Sequence, residues 1–152
     1  MDHCDIHTTL EHAGLSKTSQ RVAVLTVLVH SDTPVTVKDI LDRISAEGQV
    51  NKVTVYRILS SFKAEGIIRE IATDHGVNFY EMACRHNPAH PHFYCRICRS
   101  LSCLPPAGIP EEWLQRLRSG NPSIESVVIN FTGLCKSCQN GKGSIFRERS
   151  RR

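Results

Sequence analysis

Residues 51–82 read NKVTVYRILSSFKAEGIIREIATDHGVNFYEM, and the parsing of this stretch decides the fold. Asn51 is placed to cap a helix, because its side-chain oxygen can accept a free N–H of the first turn. Val55, Leu59 and Phe62 follow at the spacing of one helical face. Gly66 falls where a helix ends in a left-handed residue. Beyond it, Ile67–Ala72 and Val77–Met82 have strand composition, and Asp74-His75-Gly76 between them is a turn sequence. A helix that runs into a β-hairpin is the second half of a winged helix-turn-helix.

The residues upstream complete that unit. Residues 5–13 suggest a short helix closed by Gly14. Thr18 or Ser19 caps a second helix to about Val29, with Val22, Leu25 and Leu28 on one face. Pro34 blocks continuation. Thr36 caps a third helix, in which Val37, Ile40, Leu41 and Ile44 fit i, i+3, i+4, i+7, and Gly48 ends it. The third and fourth helices form the pair, and the fourth enters the major groove. Its outer face carries Lys52, Thr54, Arg57 and Ser61, with Tyr56 beside them. Arginine reads guanine bidentately, and the others suit phosphates. The same face also fits an ordinary solvated helix.

Downstream of residue 85 the character changes to Cys, Pro and short strands. His92–Cys95 and Ser100–Leu104 read as strands, broken by Pro105 and Pro106. Pro110, Glu111 and Glu112 open a helix with Trp113, Leu114 and Leu117 as its apolar stripe and Gly120 at its end. Glu125–Thr132 alternates, with Val127, Ile129 and Phe131 on one face. The expectation is an α+β chain with three parts: a winged helix over 1–85, a small α/β dimerisation domain with a four-cysteine zinc site over 86–140, and a basic tail over 141–152. So small a second domain needs a metal or a partner chain to hold it.

Composition agrees with this plan. The chain has 152 residues, 40% hydrophobic and 22% charged, which is globular rather than disordered. The longest apolar run, Val22–Val29, is too short to span a membrane. The opening Met1-Asp2-His3-Cys4-Asp5 has no signal-peptide core, so the chain reads as cytoplasmic. Residues 1–85 carry 9 basic and 11 acidic side chains, residues 86–152 carry 10 and 4, and residues 139–152 alone carry 5 and 1. The net charge of +4 therefore equals that of the tail, and it says little about nucleic acid. The tail reads as a solubilising end or as a phosphate-contacting arm.

Seven cysteines in such a chain point to metal or reactive thiols rather than disulfides. Cys95-x-x-Cys98 and Cys135-x-x-Cys138 each set two thiolates on a tight knuckle. Together they supply the four sulfur ligands of a structural zinc. The 36 residues between the pairs exceed the usual zinc-ribbon spacing of about 15–20, because a helix and a strand are inserted. Cys103 reads as a small core residue or as a competing ligand.

A second cluster lies at the boundary. His90-Pro91-His92 alternates, so both imidazoles point to one side of an extended segment. Cys84 precedes them, and Glu70 lies on the first strand of the hairpin, where antiparallel pairing would bring it toward Cys84. One thiolate, two imidazoles and one carboxylate suit zinc over harder ions. Glu81 is the rival carboxylate, and in place of Cys84 it would pull toward a harder metal such as iron or manganese. His75 and His86 read as surface loop residues.

These residues resemble the ferric uptake regulator family of bacterial metal-dependent repressors over about residues 10–140. Thr54-Val55-Tyr56-Arg57 is similar to the family's recognition-helix signature. Ala13-Gly14-Leu15 and Thr18…Gln20-Arg21 are similar to its N-terminal segment, and His90-x-His92-x-x-Cys95-x-x-Cys98 with Cys135-x-x-Cys138 to its metal region. The resemblance implies DNA contacts by Arg21, Lys52, Thr54, Tyr56 and Arg57, a homodimer and an operator duplex. The resemblance is strongest to the zinc uptake regulator branch, which implies Glu70, Cys84, His90 and His92 as regulatory zinc ligands. Iron and peroxide sensors carry a histidine near the start of the third helix, where Pro34 stands here with His30 nearby. A further family site needs a later histidine, and none follows His92.

The expected function is a zinc-responsive repressor of metal-uptake genes, with no membrane and no small-molecule substrate. Zinc joining the two halves would set the separation of two recognition helices in a dimer at about 34–36 Å, one helical turn. The alternatives are an iron- or peroxide-responsive regulator using iron or manganese, and a thiol redox sensor. An enzyme is disfavoured, since no acid or oxyanion loop accompanies Cys84 and His90.

Overall fold

The computed structural model describes residues 4–45, 50–106 and 108–141. The expected helix end at Gly48 and the basic tail beyond residue 141 lie outside these residues. The chain divides into two compact units between Pro88 and Ala89, three residues beyond the boundary read from composition.

The first unit opens with α1 (Ile6–His12) and α2 (Ser19–Val29). Asp5 caps α1 by accepting from the Thr8 N–H at 2.7 Å, and Thr18 caps α2 by accepting from Arg21 N–H. A two-residue strand, β1 (Val35–Thr36), runs directly into α3 (Val37–Ile44). Thr36 and Asp39 form a reciprocal capping box there, satisfying two otherwise orphan donors. Helix α4 (Lys52–Ala64) starts at Asn51, whose side-chain oxygen accepts from Thr54 N–H at 2.8 Å. It ends in a Schellman motif: Ile67 N–H reaches Phe62 O at 2.9 Å and Gly66 N–H reaches Lys63 O at 3.0 Å. Gly66 takes φ +69° there, a conformation that strains any residue with a Cβ.

Strands β2 (Ile68–Ile71) and β3 (Phe79–Met82) form the expected hairpin, β2 one residue shorter at each end and β3 starting two residues later. The sheet order is β1-β3-β2, all antiparallel. The sequence reading missed β1, because two residues carry no periodic signal. It is set by tertiary pairing of Val35 with Tyr80 and Thr36 with Phe79. Leu10, Val24, Leu25, Leu28, Ile40, Val55, Leu59 and Phe62 are fully buried in one core, and Ile58 joins the three α4 positions expected inward.

In the second unit β4 (Pro91–Cys95) lies between β5 (Leu101–Cys103), antiparallel, and β6 (Ile129–Gly133), parallel. Strand β6 begins four residues later than the alternation at Glu125 predicts. Its first residue pairs with Pro91, where β4 itself begins, so nothing upstream offers a ladder. Phe131 is 53% exposed, against the expectation of a covered face. Helix α5 (Glu111–Gly120) follows Pro110, and of its apolar stripe Leu114 is buried while Trp113 and Leu117 are exposed. A short helix, α6 (Lys136–Gln139), connects the last two cysteines and was not expected. Among the described residues no helix is long and apolar enough to cross a membrane.

Gly66→Ala should destabilise the first unit by about 1–2 kcal/mol, the cost of a left-handed residue with a side chain. Urea unfolding followed by circular dichroism checks this, and an unchanged midpoint would contradict the strained helix end.

Candidate metal centres and nucleic-acid interface

Cys95 ends β4 and Cys98 follows on a turn in which Arg99 N–H reaches Cys95 O at 2.8 Å and Cys95 N–H reaches Ser100 O at 3.0 Å. Arg99 takes φ +61°, which brings the chain back sharply into β5. On the other side Gly133 ends β6 beside Cys95, and its carbonyl accepts from Arg96 N–H at 3.0 Å. Cys135 then opens α6, so Cys138 sits one turn along. The four sulfurs lie within 4.8 Å of one another. Zinc–sulfur bonds of about 2.3 Å place tetrahedral sulfurs about 3.8 Å apart. Cys98 and Cys135 already stand at 3.8 Å. The residues fit a structural zinc.

The electrostatics of the knot are uneven. Burial alone pushes the Cys95 thiol up, but the backbone N–H groups of Cys135, Cys98 and Ile97, with the Cys98 thiol, together bring it down to about 6. Burial, with hydrogen bonds from the other three cysteines, pushes Cys138 up to about 12. Cys95 is prepared as a thiolate while Cys138 holds a proton that a cation would displace.

A second donor set lies in the same unit. His90 precedes β4, and His92 within it is 1% exposed. Their ring centroids are 4.5 Å apart. Across the β4–β5 ladder Cys103 pairs with His92, and ligand atoms of His90, His92 and Cys103 lie within 4.8 Å of one another. The reading of Cys103 as a core residue is corrected here: it is exposed, at the end of β5. No sequence signal paired it with His92, because that pairing depends on the length of the Cys95–Ser100 turn, which sets the register.

In the first unit the hairpin register separates Glu70 from Cys84. Glu70 pairs with Tyr80 toward the turn, and its carboxylate takes Lys63 and the Asn78 amide. Cys84 leaves the opposite end, past the Ile68–Met82 pair, and gathers with Cys4 and His86. The expectation that antiparallel pairing brings Glu70 toward Cys84 is thereby revised. Glu81 is buried and receives Arg69 Nε at 3.0 Å and Nη2 at 2.9 Å.

The candidate nucleic-acid face lies on α4, where Val55, Ile58, Leu59 and Phe62 are buried and Lys52, Tyr56 and Arg57 are exposed. Thr54 is half-buried. Tyr56 is 44% exposed, and Lys52 Nζ lies 5.8 Å from its ring centroid, a cation–π arrangement that holds both side chains outward. Arg21, on α2, donates to the Ser16 carbonyl at 3.1 Å and to the Ser16 hydroxyl.

A winged helix followed by a small β-unit with a four-sulfur knot defines a class of metal-dependent DNA-binding regulators. The profile of the ferric uptake regulator family matches residues 12–131, and the chain belongs to that family of metal-responsive transcription regulators. It is 28% identical over 130 residues to the zinc uptake regulation protein of Mycobacterium tuberculosis, covering 84% of this chain and 98% of that one. Its fold matches that of the Helicobacter pylori ferric uptake regulator with TM-score 0.71 at 22% identity, covering 91% of this chain and 97% of that one. It also matches a zinc uptake regulator complexed with zinc and DNA, with TM-score 0.56 at 23% identity, covering 90% and 91%.

Cys135→Ser should unfold the second unit while leaving the first intact, since a structural zinc of this kind contributes roughly 10 kcal/mol or more of folding free energy. Calorimetry should show the transition of the second unit lost and that of the first kept; two wild-type transitions in the variant would rule out the sulfur knot as a staple.

Proposed function

We propose that this protein is a zinc-responsive, DNA-binding repressor of metal-uptake genes that acts as a homodimer. The observation that carries the metal choice is sulfur in the donor sets. Thiolate ligands favour zinc over iron and manganese, which prefer oxygen and nitrogen. The likeness to a zinc uptake regulation protein supports the same choice.

Of the four ligands that the sequence resemblance implies, Cys84, His90 and His92 remain the candidates for the regulatory zinc, while the Glu70 carboxylate is taken by Lys63 and Asn78 toward the other end of the hairpin from Cys84. Cys103 joins the candidates by its place across from His92. Zinc, when bound, supplies a fixed tetrahedral centre that holds its ligands in one arrangement. The chain's own residues do the rest. Arg57 and Tyr56 face outward from α4 for base edges and phosphates, and Lys52 at its first turn adds phosphate contact. Exposed Trp113, Leu117 and Phe131 give so small a unit an apolar surface suited to a second copy.

Operator binding by wild-type protein, measured by fluorescence anisotropy on a duplex selected from a random library, should require zinc. Activation by iron or manganese in its place would move the protein to the iron and peroxide branch. By linkage, the operator should tighten zinc binding by the same factor that zinc tightens operator binding.

Arg57→Ala should cost about 1–3 kcal/mol of operator affinity and relax one base preference, whereas Lys52→Ala should lower the salt slope by about one. Equal affinity for operator and random duplex in wild type would defeat the proposal.

Cys84→Ser should keep the four-sulfur zinc and lose zinc-dependent DNA binding, and full affinity in that variant would remove Cys84 from the sensor. Cys103→Ser should weaken regulatory zinc binding by at least the 10–100-fold that outer-shell changes cost. Unchanged zinc affinity there would return the sulfur role to Cys84 alone.

A further inference from the structure

The three donors Cys4, Cys84 and His86 lie wholly within the first unit and form a donor set of their own. They come from chain positions 82 residues apart. Each is held by its own local structure. Cys4 precedes the Asp5 cap of α1, so the start of that helix fixes its backbone. Ala83 N–H reaches Ile67 O at 2.8 Å, which anchors the exit of the hairpin. Asn87 N–H then returns to Cys84 O at 2.9 Å, and the Asn87 amide donates to Met82 O at 2.8 Å. Residues 84–87 therefore form a held turn that presents Cys84 and His86 toward Cys4. Both cysteines are partly buried against the core, and His86 is exposed.

The spacing fits a cation. Ligand atoms of the three residues lie within 4.8 Å of one another, and Cys4 Sγ stands 3.6 Å from His86 Nδ1. Zinc bonds of about 2.3 Å to sulfur and about 2.0–2.1 Å to nitrogen put a tetrahedral sulfur–nitrogen pair about 3.5–3.6 Å apart. Two sulfurs and one imidazole form a soft donor set that selects thiophilic ions.

We propose that Cys4, Cys84 and His86 form a further metal site that takes a thiophilic d10 cation, zinc(II) or copper(I), and ties the start of α1 to the exit of the wing hairpin. Three protein ligands suffice for copper(I), and zinc(II) adds water on the exposed His86 side. Binding releases protons, since burial and the neighbouring Cys84 hold the metal-free Cys4 thiol up at about 11. Cys84 has one thiolate, so loading this site withdraws it from any other ligand set. The site stands on the geometry of the first unit and does not rest on the repressor reading.

The test uses reduced, full-length protein with its sulfur knot loaded with zinc. Cobalt(II), as a zinc surrogate, and copper(I), against a chelating competitor, are titrated into wild type, Cys4→Ser and His86→Ala. Wild type should take up a cation that each variant binds at least about tenfold more weakly. The thiolate-to-cobalt absorption should fall by about half in Cys4→Ser and persist in His86→Ala. Uptake of either ion that weakens in both variants supports the site, and the ion so affected identifies its occupant. Identical stoichiometry, affinity and absorption in wild type and both variants would overturn the proposal, as would no uptake of either ion by wild type. His86 is exposed, so its variant keeps the test decisive if Cys4→Ser folds poorly. Zinc-dependent DNA binding should survive in Cys4→Ser, which separates this proposal from the repressor reading.

Discussion

The second unit depends on four sulfur atoms. Its buried hydrophobic side chains, among the described residues, are Tyr94, Cys95, Leu101 and Leu114. Three short strands and one packed helix cannot offset the conformational entropy of some fifty ordered residues by apolar burial alone. The sulfurs sit where that deficit is greatest. Cys95 closes β4, Gly133 closes β6 alongside it, and Cys135 follows two residues later. The central strand is thus tied at one end to its parallel neighbour, a pairing with no hairpin of its own to hold it. Gly133 belongs to the same constraint, because a Cβ there would stand 3.1 Å from the Phe93 ring on the adjacent strand. With the strand ends fixed, the β4–β5 register follows, and that register places Cys103 opposite His92.

The first unit is held differently. Its core draws on all four helices and both hairpin strands, and its helix ends are capped by side chains at Asp5, Thr18, Thr36 and Asn51. Apolar burial and caps of this extent hold the unit through its own side chains, unlike the second. The hairpin and α4 share the Phe62–Ile67 helix end, so the wing and the outward face of α4 are carried by one rigid corner. Lys52, Tyr56 and Arg57 gain their exposure from the burial of Val55, Ile58, Leu59 and Phe62 on the opposite side.

The seven cysteines divide by chemistry. Four make the knot, Cys103 joins two histidines in the second unit, and Cys4 and Cys84 share a turn with His86 in the first. Sulfur in all three sets is the feature on which the proposed preference for zinc over iron rests. The buried carboxylate Glu81 is paired with Arg69, and Glu70 with Lys63 and Asn78.

What the sequence determined by itself was everything carried by local signals. Helical periodicity with capping residues placed α1, α2, α4 and the start of α3 within a residue or two, Gly66 marked the end of α4, and two Cys-x-x-Cys pairs marked the knot. The thiolate-rich composition pointed to zinc, and the outward residues of α4 to nucleic acid. Tertiary structure alone decided what depends on register and on pairing across long stretches of chain. β1 exists only because β3 accepts it, and β6 starts where β4 starts. Glu70 and Cys84 separate because the hairpin register puts them at opposite ends. Cys4 meets His86, and Cys103 meets His92, through turns whose lengths no periodicity encodes. Periodic burial is written in adjacent residues, whereas the meeting of distant donors is set by which strand edge, and which turn, the folded chain brings into reach.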